Sequence, residues 1–410
     1  MRHSISNKAV ILIVSLLFVS VSVLGILCVS ALGKTNKEVV VEGVNDFAFD
    51  LYAELKKEKG NIFLSPLSIS TALTMTYAGS AGKTAEQMAA ALHLPQTGEM
   101  LHATYSELLG GLNVDEKSRG YSLTLANALW GQAGYKFKDE FKRVMDRYYD
   151  AGFKELNFKE EEKARGTINA WVEEITREKI KDLIPKGLLT PLTRLVLTNA
   201  IYFKGDWASQ FDKNLTKEGD FLLLDGKKSV AHMMHKNEDL RYAERESVKM
   251  VELPYAGNRL SMLIVLPKKN DGITEIEGML TLSLLEEWID NMSVKKVLLS
   301  MPRFKMESEF FLGRTLQSLG MTDAFDAQSA DFTGITAVPE EFFIDEVIHK
   351  SFVDVNEEGT EAAAATGVVM KTLSMPEERV IFTADHPFIF FIRDNVSGSI
   401  LFIGRVADPS

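Results

Sequence analysis

The segment Glu357-Glu358-Gly359-Thr360-Glu361-Ala362-Ala363-Ala364-Ala365-Thr366, running on into Gly367-Val368-Val369-Met370-Lys371-Thr372-Leu373-Ser374, constrains this chain more than any other stretch. At strand period, Thr360, Ala362, Ala364, Thr366, Val368 and Met370 share one face. The only charges between Thr360 and Leu373 are Glu361 and Lys371, and both fall on the other face. That pattern suits a strand buried on one side. The alanines suit a helix equally well, because alanine has the best helix propensity. An alanine-rich surface helix or a linker fits the composition too. The segment is thus compatible with two conformations, and a fold that carries it needs somewhere to receive a run of small residues.

The rest of the 410-residue chain has an ordinary globular balance, 46% hydrophobic and 25% charged,. A formal charge of -11 with no block of basic residues argues against nucleic acid or polyanion as a nonspecific partner,. Lys181, Lys186 and Arg194 are scattered and read as solvated surface groups.

Arg2 and Lys8 precede an uncharged, mainly aliphatic run over residues 9–32. It is long for the apolar core of a secretory signal and long enough to span a bilayer as a helix. Either reading keeps the positive end inside and predicts an extracytoplasmic protein, with residues 1–33 removed as a signal or retained as a membrane tether. The single cysteine, Cys28, lies in this run, so the remaining chain has no disulfide and must rely on its core,.

Residues 39–410 contain no repeat and no Pro/Ser/Gly-rich linker, which predicts one large domain. The first half reads largely helical. Val44, Phe47, Leu51 and Leu55 recur at helical spacing, with Gly60-Asn61 as a stop, and Ile168, Trp171, Val172 and Ile175 repeat the pattern,. The second half reads as strands over 248–253, 260–266, 297–301, 388–392 and 400–406,. Helices first and strands later predict an α+β class.

Catalytic and metal motifs fail on spacing. Gly79-Ser80-Ala81-Gly82-Lys83-Thr84 has Tyr77 where a phosphate loop needs glycine, and reads instead as one helix ending and another beginning,. His232 and His235 lack a carboxylate or thiol pattern to complete a metal site,. No Gly-x-Ser-x-Gly or His-Glu-x-x-His motif is present, and the lone cysteine is in the N-terminal run,. The chain therefore reads as a protein without cofactor or metal, and not as an enzyme.

Several segments, in order and at matching separations, resemble the serpin family, the serine protease inhibitors that trap proteases by inserting a loop. The decapeptide 357–366 is similar to the hinge of the family's reactive-centre loop, here about residues 357–380. Residues 63–69 resemble the helix-B segment, and 198–207 with Phe211 a strand-and-turn signature. Residues 382–388 and 402–406 resemble the two C-terminal signatures. His349 lies eight residues before Glu357, at the family's spacing.

The resemblance implies several helices on three β-sheets with an exposed loop. It implies that Ser65, Ser68, Asn199 and His349 form the shutter, a polar cluster beneath the point where the main sheet opens. It implies that Trp207 and Gly205 sit at the breach, where insertion begins, and that Arg303, in the sheet's sixth strand, pairs with Glu357. The family's loop length places the scissile bond between Leu373 and Ser374, suited to chymotrypsin-like, elastase-like or subtilisin-like proteases. The implied activity is suicide-substrate inhibition of a serine protease through a covalent complex, by a monomer. A non-inhibitory member acting as a binding or chaperone protein is the alternative; such members often carry bulky, charged or proline residues in the hinge, and 357–366 does not.

Overall fold

A computed structural model describes residues 34–95, 98–112, 120–149, 153–336, 342–360 and 379–410. Its first helix, α1 (Asn36–Leu55), is set by a reciprocal capping box. Glu38 N–H donates to Thr35 Oγ1 at 3.2 Å, and Thr35 N–H to the Glu38 carboxylate at 2.7 Å,. Val40, Val44, Phe47, Leu51 and Leu55 then line its buried face,. Ser65 caps α2 (Pro66–Tyr77), with proline at the first helical position,. The remaining helices are α3 (Gly82–Ala91), α4 (Glu99–Leu112), α5 (Asp139–Tyr148), α6 (Glu161–Ile175), α7 (Ile273–Met279), α8 (Leu282–Asp290) and α9 (Gly313–Ser318).

The strands are, in chain order, β1 (Ile62–Leu64), β2 (Tyr121–Gln132), β3 (Phe153–Leu156), β4 (Leu195–Asp206), β5 (Lys217–Leu222), β6 (Lys228–Glu244), β7 (Val248–Pro254), β8 (Leu260–Pro267), β9 (Ser293–Pro302), β10 (Phe304–Phe311), β11 (Glu346–Val355), β12 (Gly359–Thr360), β13 (Arg379–Thr383), β14 (Phe388–Asp394) and β15 (Ile400–Val406). The α+β class holds, but strands are not confined to the second half: β2 and β4 are 12 residues each. β2 escapes the alternation test because it is buried almost throughout, as strands covered on both faces are,.

Two hydrogen-bonded sheets result among the described residues. One runs β10-β11-β12-β4-β2-β3; the other runs β1-β15-β14-β8-β7-β6-β9-β13, with β5 on β6. The three sheets implied by the resemblance become two because the 17-residue β6 serves both halves of the larger one. Its residues 233–242 pair with β9 and 241–244 with β7.

The six-stranded sheet is covered on both sides. On one face Leu197, Ile201, Phe203 and Val353 join the main core with α1, α2 and the larger sheet. On the other, Val196, Ala200, Tyr202, Ile348 and Phe352 pack with Trp130, Phe158, Ile168 and Val172. Among the described residues no helix is long and apolar enough to cross a membrane. The apolar run 9–32 lies outside the described residues, as do Glu361, Ala362, Ala363, Ala364, Ala365, Thr366, Leu373 and Ser374.

Candidate functional site

The middle of the six-stranded sheet is where the predicted residues gather. β4 and β11 run parallel and pair directly from Val196–Glu346 to Tyr202–Phe352. Beyond that the two part, and β12 enters between them. Gly359 pairs with Asp206, and Thr360 with Gly205 on one side and Val355 on the other, antiparallel to both. The Thr360 side chain is fully buried and hydrogen-bonds the Tyr255 hydroxyl at 2.8 Å. Thr360 therefore faces the main core, on the same side as Phe203 and Val353.

Two glycines permit this contact. A Cβ on Gly359 would meet the Gly205 carbonyl oxygen at 2.1 Å. A Cβ on Gly205 would strike the Phe203 ring at 2.8 Å and the Tyr255 ring at 2.9 Å. Tyr255 stacks on Trp207 at 4.7 Å between centroids and meets Phe203 edge-on at 5.1 Å,. Trp207 donates its indole N–H to the Asn356 carbonyl at 2.9 Å and its backbone N–H to that of Glu358 at 2.9 Å. Phe211 N–H bonds the Glu357 carbonyl at 2.8 Å. An aromatic stack thus underlies the first inserted residue, and the preceding turn is tied to it through its carbonyls.

Side-chain charge closes the outer side of this turn. Glu357 accepts from Thr216 Oγ1 at 2.6 Å and lies 3.5 Å from Arg303 Nε; Glu358 pairs with Lys213. Both carboxylates are mostly buried, whereas Lys213 and Arg303 are substantially exposed. Arg303 is not within a strand, as the resemblance implied. It occupies the single-residue connection between β9 and β10, where its N–H bonds the His232 carbonyl at 2.8 Å. The proline before it cannot donate to a ladder, which ends β9 there.

Farther along the same sheet lies a row of buried polar residues. Register places Asn127 of β2 opposite Asn199 of β4, and Asn199 opposite His349 of β11. The His349 imidazole hydrogen-bonds the Asn199 side-chain oxygen through Nδ1, and accepts the Ser65 N–H on Nε2 at 3.1 Å. Asn199 Nδ2 donates to Ser68 Oγ at 2.8 Å and to Asn127 Oδ1 at 2.7 Å; Ser68 Oγ donates to Asn127 Oδ1 at 3.0 Å. Ser65 Oγ reaches the Leu401 carbonyl at 2.7 Å. Burial pushes the His349 imidazole down to about 3, against a smaller opposing effect of Asn199, so the ring is neutral with its proton on Nδ1,. Ser65, Ser68, Asn199 and His349 are therefore in one network, with the capping end of α2 docked on the β4–β11 seam.

Two members of the row were missed from the sequence. Asn127 is the hub between Ser68 and Asn199, and Ser351 Oγ bonds the Phe63 carbonyl at 2.6 Å from two residues beyond His349. A lone asparagine between Ala126 and Ala128 in an apolar run was the available signal, since a buried amide needs partners,. His232 and His235 lie on β6, and among the described residues no group of three or more metal-ligating side chains occurs.

The sequence profile of the family described as Serpin (serine protease inhibitor) matches residues 42–409. The chain is 42% identical to an uncharacterised serpin-like protein of Thermococcus kodakarensis over 91% of this chain and 87% of that one. It is likewise 42% identical to the leukocyte elastase inhibitor of Homo sapiens, over 88% of this chain and 97% of the relative. Among solved structures it resembles the thermophilic serpin tengpin in the native state, with a TM-score of 0.82 and 31% identity over 90% of this chain and 94% of that one. These findings overturn the expectation of an extracytoplasmic or tethered protein. The relatives matched are leukocyte elastase inhibitors and archaeal serpin-like proteins, and among the described residues no helix is long and apolar enough to cross a membrane.

Proposed function

The chain belongs to the serpin family of serine protease inhibitors, and on that premise we propose that it is an irreversible suicide-substrate inhibitor that acts as a monomer. The protease's serine attacks the Leu373 carbonyl, the Leu373–Ser374 bond breaks, and the Ser374 amine leaves. The segment beyond Thr360 then enters between β4 and β11 as a full strand. The acyl-linked protease is carried with it and distorted before water can release it.

The observation that supports this reading best is β12, a strand two residues long lodged between two strands that pair with each other farther down. Each further residue would step one position back along both neighbours. Ala362 would then lie between Phe203 and Val353, Ala364 between Ile201 and Ser351, and Thr366 between Asn199 and His349. Alanines fall beside the bulky Phe203, Val353 and Ile201, and a hydroxyl falls between Asn199 and His349, where the row is polar. Donor and both receiving strands belong to one chain, so no second copy is needed.

Insertion breaks the β4–β11 ladder and makes one on each side of the new strand. At about 1 kcal/mol net per hydrogen bond, the surplus over a strand of this length is on the order of 10 kcal/mol. That is comparable with the stability of a typical domain, about 5–15 kcal/mol. It is enough to deform an attached protease, and it makes the uncut form metastable.

Leucine before the cut favours an apolar primary pocket, and the likeness to leukocyte elastase inhibitors supports the same target class. Incubation with chymotrypsin, pancreatic elastase and subtilisin should give an SDS-stable complex and release a fragment beginning at Ser374. Leu373→Arg should redirect trapping to trypsin. Clean cleavage by every protease, with no complex, would refute inhibition and leave a non-inhibitory binding protein.

A further inference from the structure

Resting on the assignment of Leu373–Ser374 as the cleaved bond, we infer that the outer face of β13, β9 and β6 is a second docking surface for the attacking protease, which sets how fast it engages the loop. β13 begins at Arg379, five residues beyond Ser374. Five residues span at most about 18 Å, whereas a protease domain of roughly 220 residues is some 40 Å across by the usual size scaling. An enzyme seated on the cut bond must therefore lie against the start of this strand or beside it.

The face it would meet has the make-up of an interface. Alternation on β13 buries Phe382 and turns Arg379, Ile381 and Thr383 outward. Ile381 is 62% exposed, although a polar residue would cost less there,. Register sets Ile381 beside Leu298 of β9, and Leu298 beside Asn237 of β6. With His235, Thr383 and the 49% exposed Leu215 they line a concavity of about 440 Å³. An apolar centre with a polar rim is the arrangement of protein interfaces.

The rim also gives the partner's chemistry. Arg379 and Lys296 are register neighbours on this face, like charges side by side,. Lys296 is offset by Asp239 at 3.4 Å, while Arg379 has no ion pair among the described residues. The surface therefore fits a protease whose cleft rim presents an apolar side chain next to a carboxylate.

The test compares the wild-type chain with Ile381→Glu and Arg379→Glu, measuring association rate constants and inhibition stoichiometry with chymotrypsin, pancreatic elastase and subtilisin. Ile381→Glu should slow association about tenfold with at least one of them, and Arg379→Glu about threefold, with a shallower fall of the rate as salt is added. Stoichiometry should stay unchanged, because it reports insertion and not docking. Cleavage of a free peptide spanning residues 366–383 should proceed equally with Ile381 or with glutamate at that position, since the folded surface is absent. Unchanged association rates with all three proteases, while the wild type still forms complexes, would overturn this surface alone. Absence of any wild-type complex would overturn it together with the inhibitor reading. Both side chains are exposed, so folding is preserved; hydrogen-exchange protection of 379–383 by an inactive serine-to-alanine protease provides an independent readout, and its absence also counts against the surface.

Discussion

The two ends of the β4–β11 seam are closed by different chemistry. At Thr360 the strands are already parted, the backbone ladder is satisfied by β12, and an aromatic stack of Tyr255, Trp207 and Phe203 lies beneath. Six positions away along the register the strands still pair, held by the His349–Asn199 side-chain bond and the docked start of α2. The first end needs no bond broken to receive a residue. The second must give up a buried polar contact before anything enters. On the proposed mechanism, the difference places the barrier to insertion at the polar row and not at the entry.

The comparison fails outright if there is no stored energy to release. Proteolytic nicking within 361–378 should raise the thermal midpoint by about 10–15 °C, given a gain near 10 kcal/mol. Superimposable melting curves of nicked and intact samples would remove the distinction between the two ends. Next in size is Thr360→Arg. A guanidinium forced against the Tyr255 hydroxyl, in a site with no exposure, cannot be buried unpaired,. The variant should be cleaved as a substrate, with inhibition stoichiometry rising at least about tenfold. Unchanged stoichiometry would mean that Thr360 does not enter the sheet.

Asn199→Ala addresses the other end. It strips partners from His349, Ser68 and Asn127 together, and each buried group left unmet costs about 1–3 kcal/mol,. The uncut form should lose about 3 kcal/mol, lowering its midpoint by roughly 4 °C, and should convert spontaneously to the inserted form faster on warming. Ala126→Ser, one residue away on the opposite face of β2, is the control. Equal loss in both would show that the row has no special standing.

The same row sets a pH dependence. His349 is held down to about 3, well below its ordinary value near 6.5,. As pH falls the unfolded chain takes up the proton first, so this stabilisation is complete above about 6.5 and is lost as pH falls toward 3. The slope is about 1.4 kcal/mol per pH unit for one such group. His102, buried against Tyr149 and held down to about 4, adds a second slope of the same sign. His349→Gln should remove one of the two, read by denaturant midpoints between pH 4 and 7. A slope identical to wild type would place the sensitivity elsewhere.

How much of this was legible beforehand follows from what kind of pattern each part leaves. α1, α6 and the late strands stand out because one face is buried, and period alone exposes them. β2 does not, since both faces are covered and its alternation is erased; Asn127 went unseen with it. Ser65, Ser68, Asn199 and His349 are distant in sequence, and only a family likeness could group them before the register was known. Thr360 is the exception. Its inward placement was readable from parity, because both charges between Thr360 and Leu373, Glu361 and Lys371, fall on the opposite face.

The smallest effect expected is at the outer side of the entry. Lys213 and Arg303 pair with Glu358 and Glu357, but the cations are 63% and 40% exposed, so solvent screens them,. Lys213→Ala or Arg303→Ala should therefore shift the thermal midpoint of the uncut form by no more than about 1 °C, and less at high salt. Glu357→Ala should cost more than either, because it removes an acceptor that is 4% exposed and leaves Thr216 Oγ1 without its partner at 2.6 Å. If Arg303→Ala matched Asn199→Ala in magnitude, the entry would be held by charge as firmly as the row is held by hydrogen bonds. The barrier would then have to be divided between the two ends.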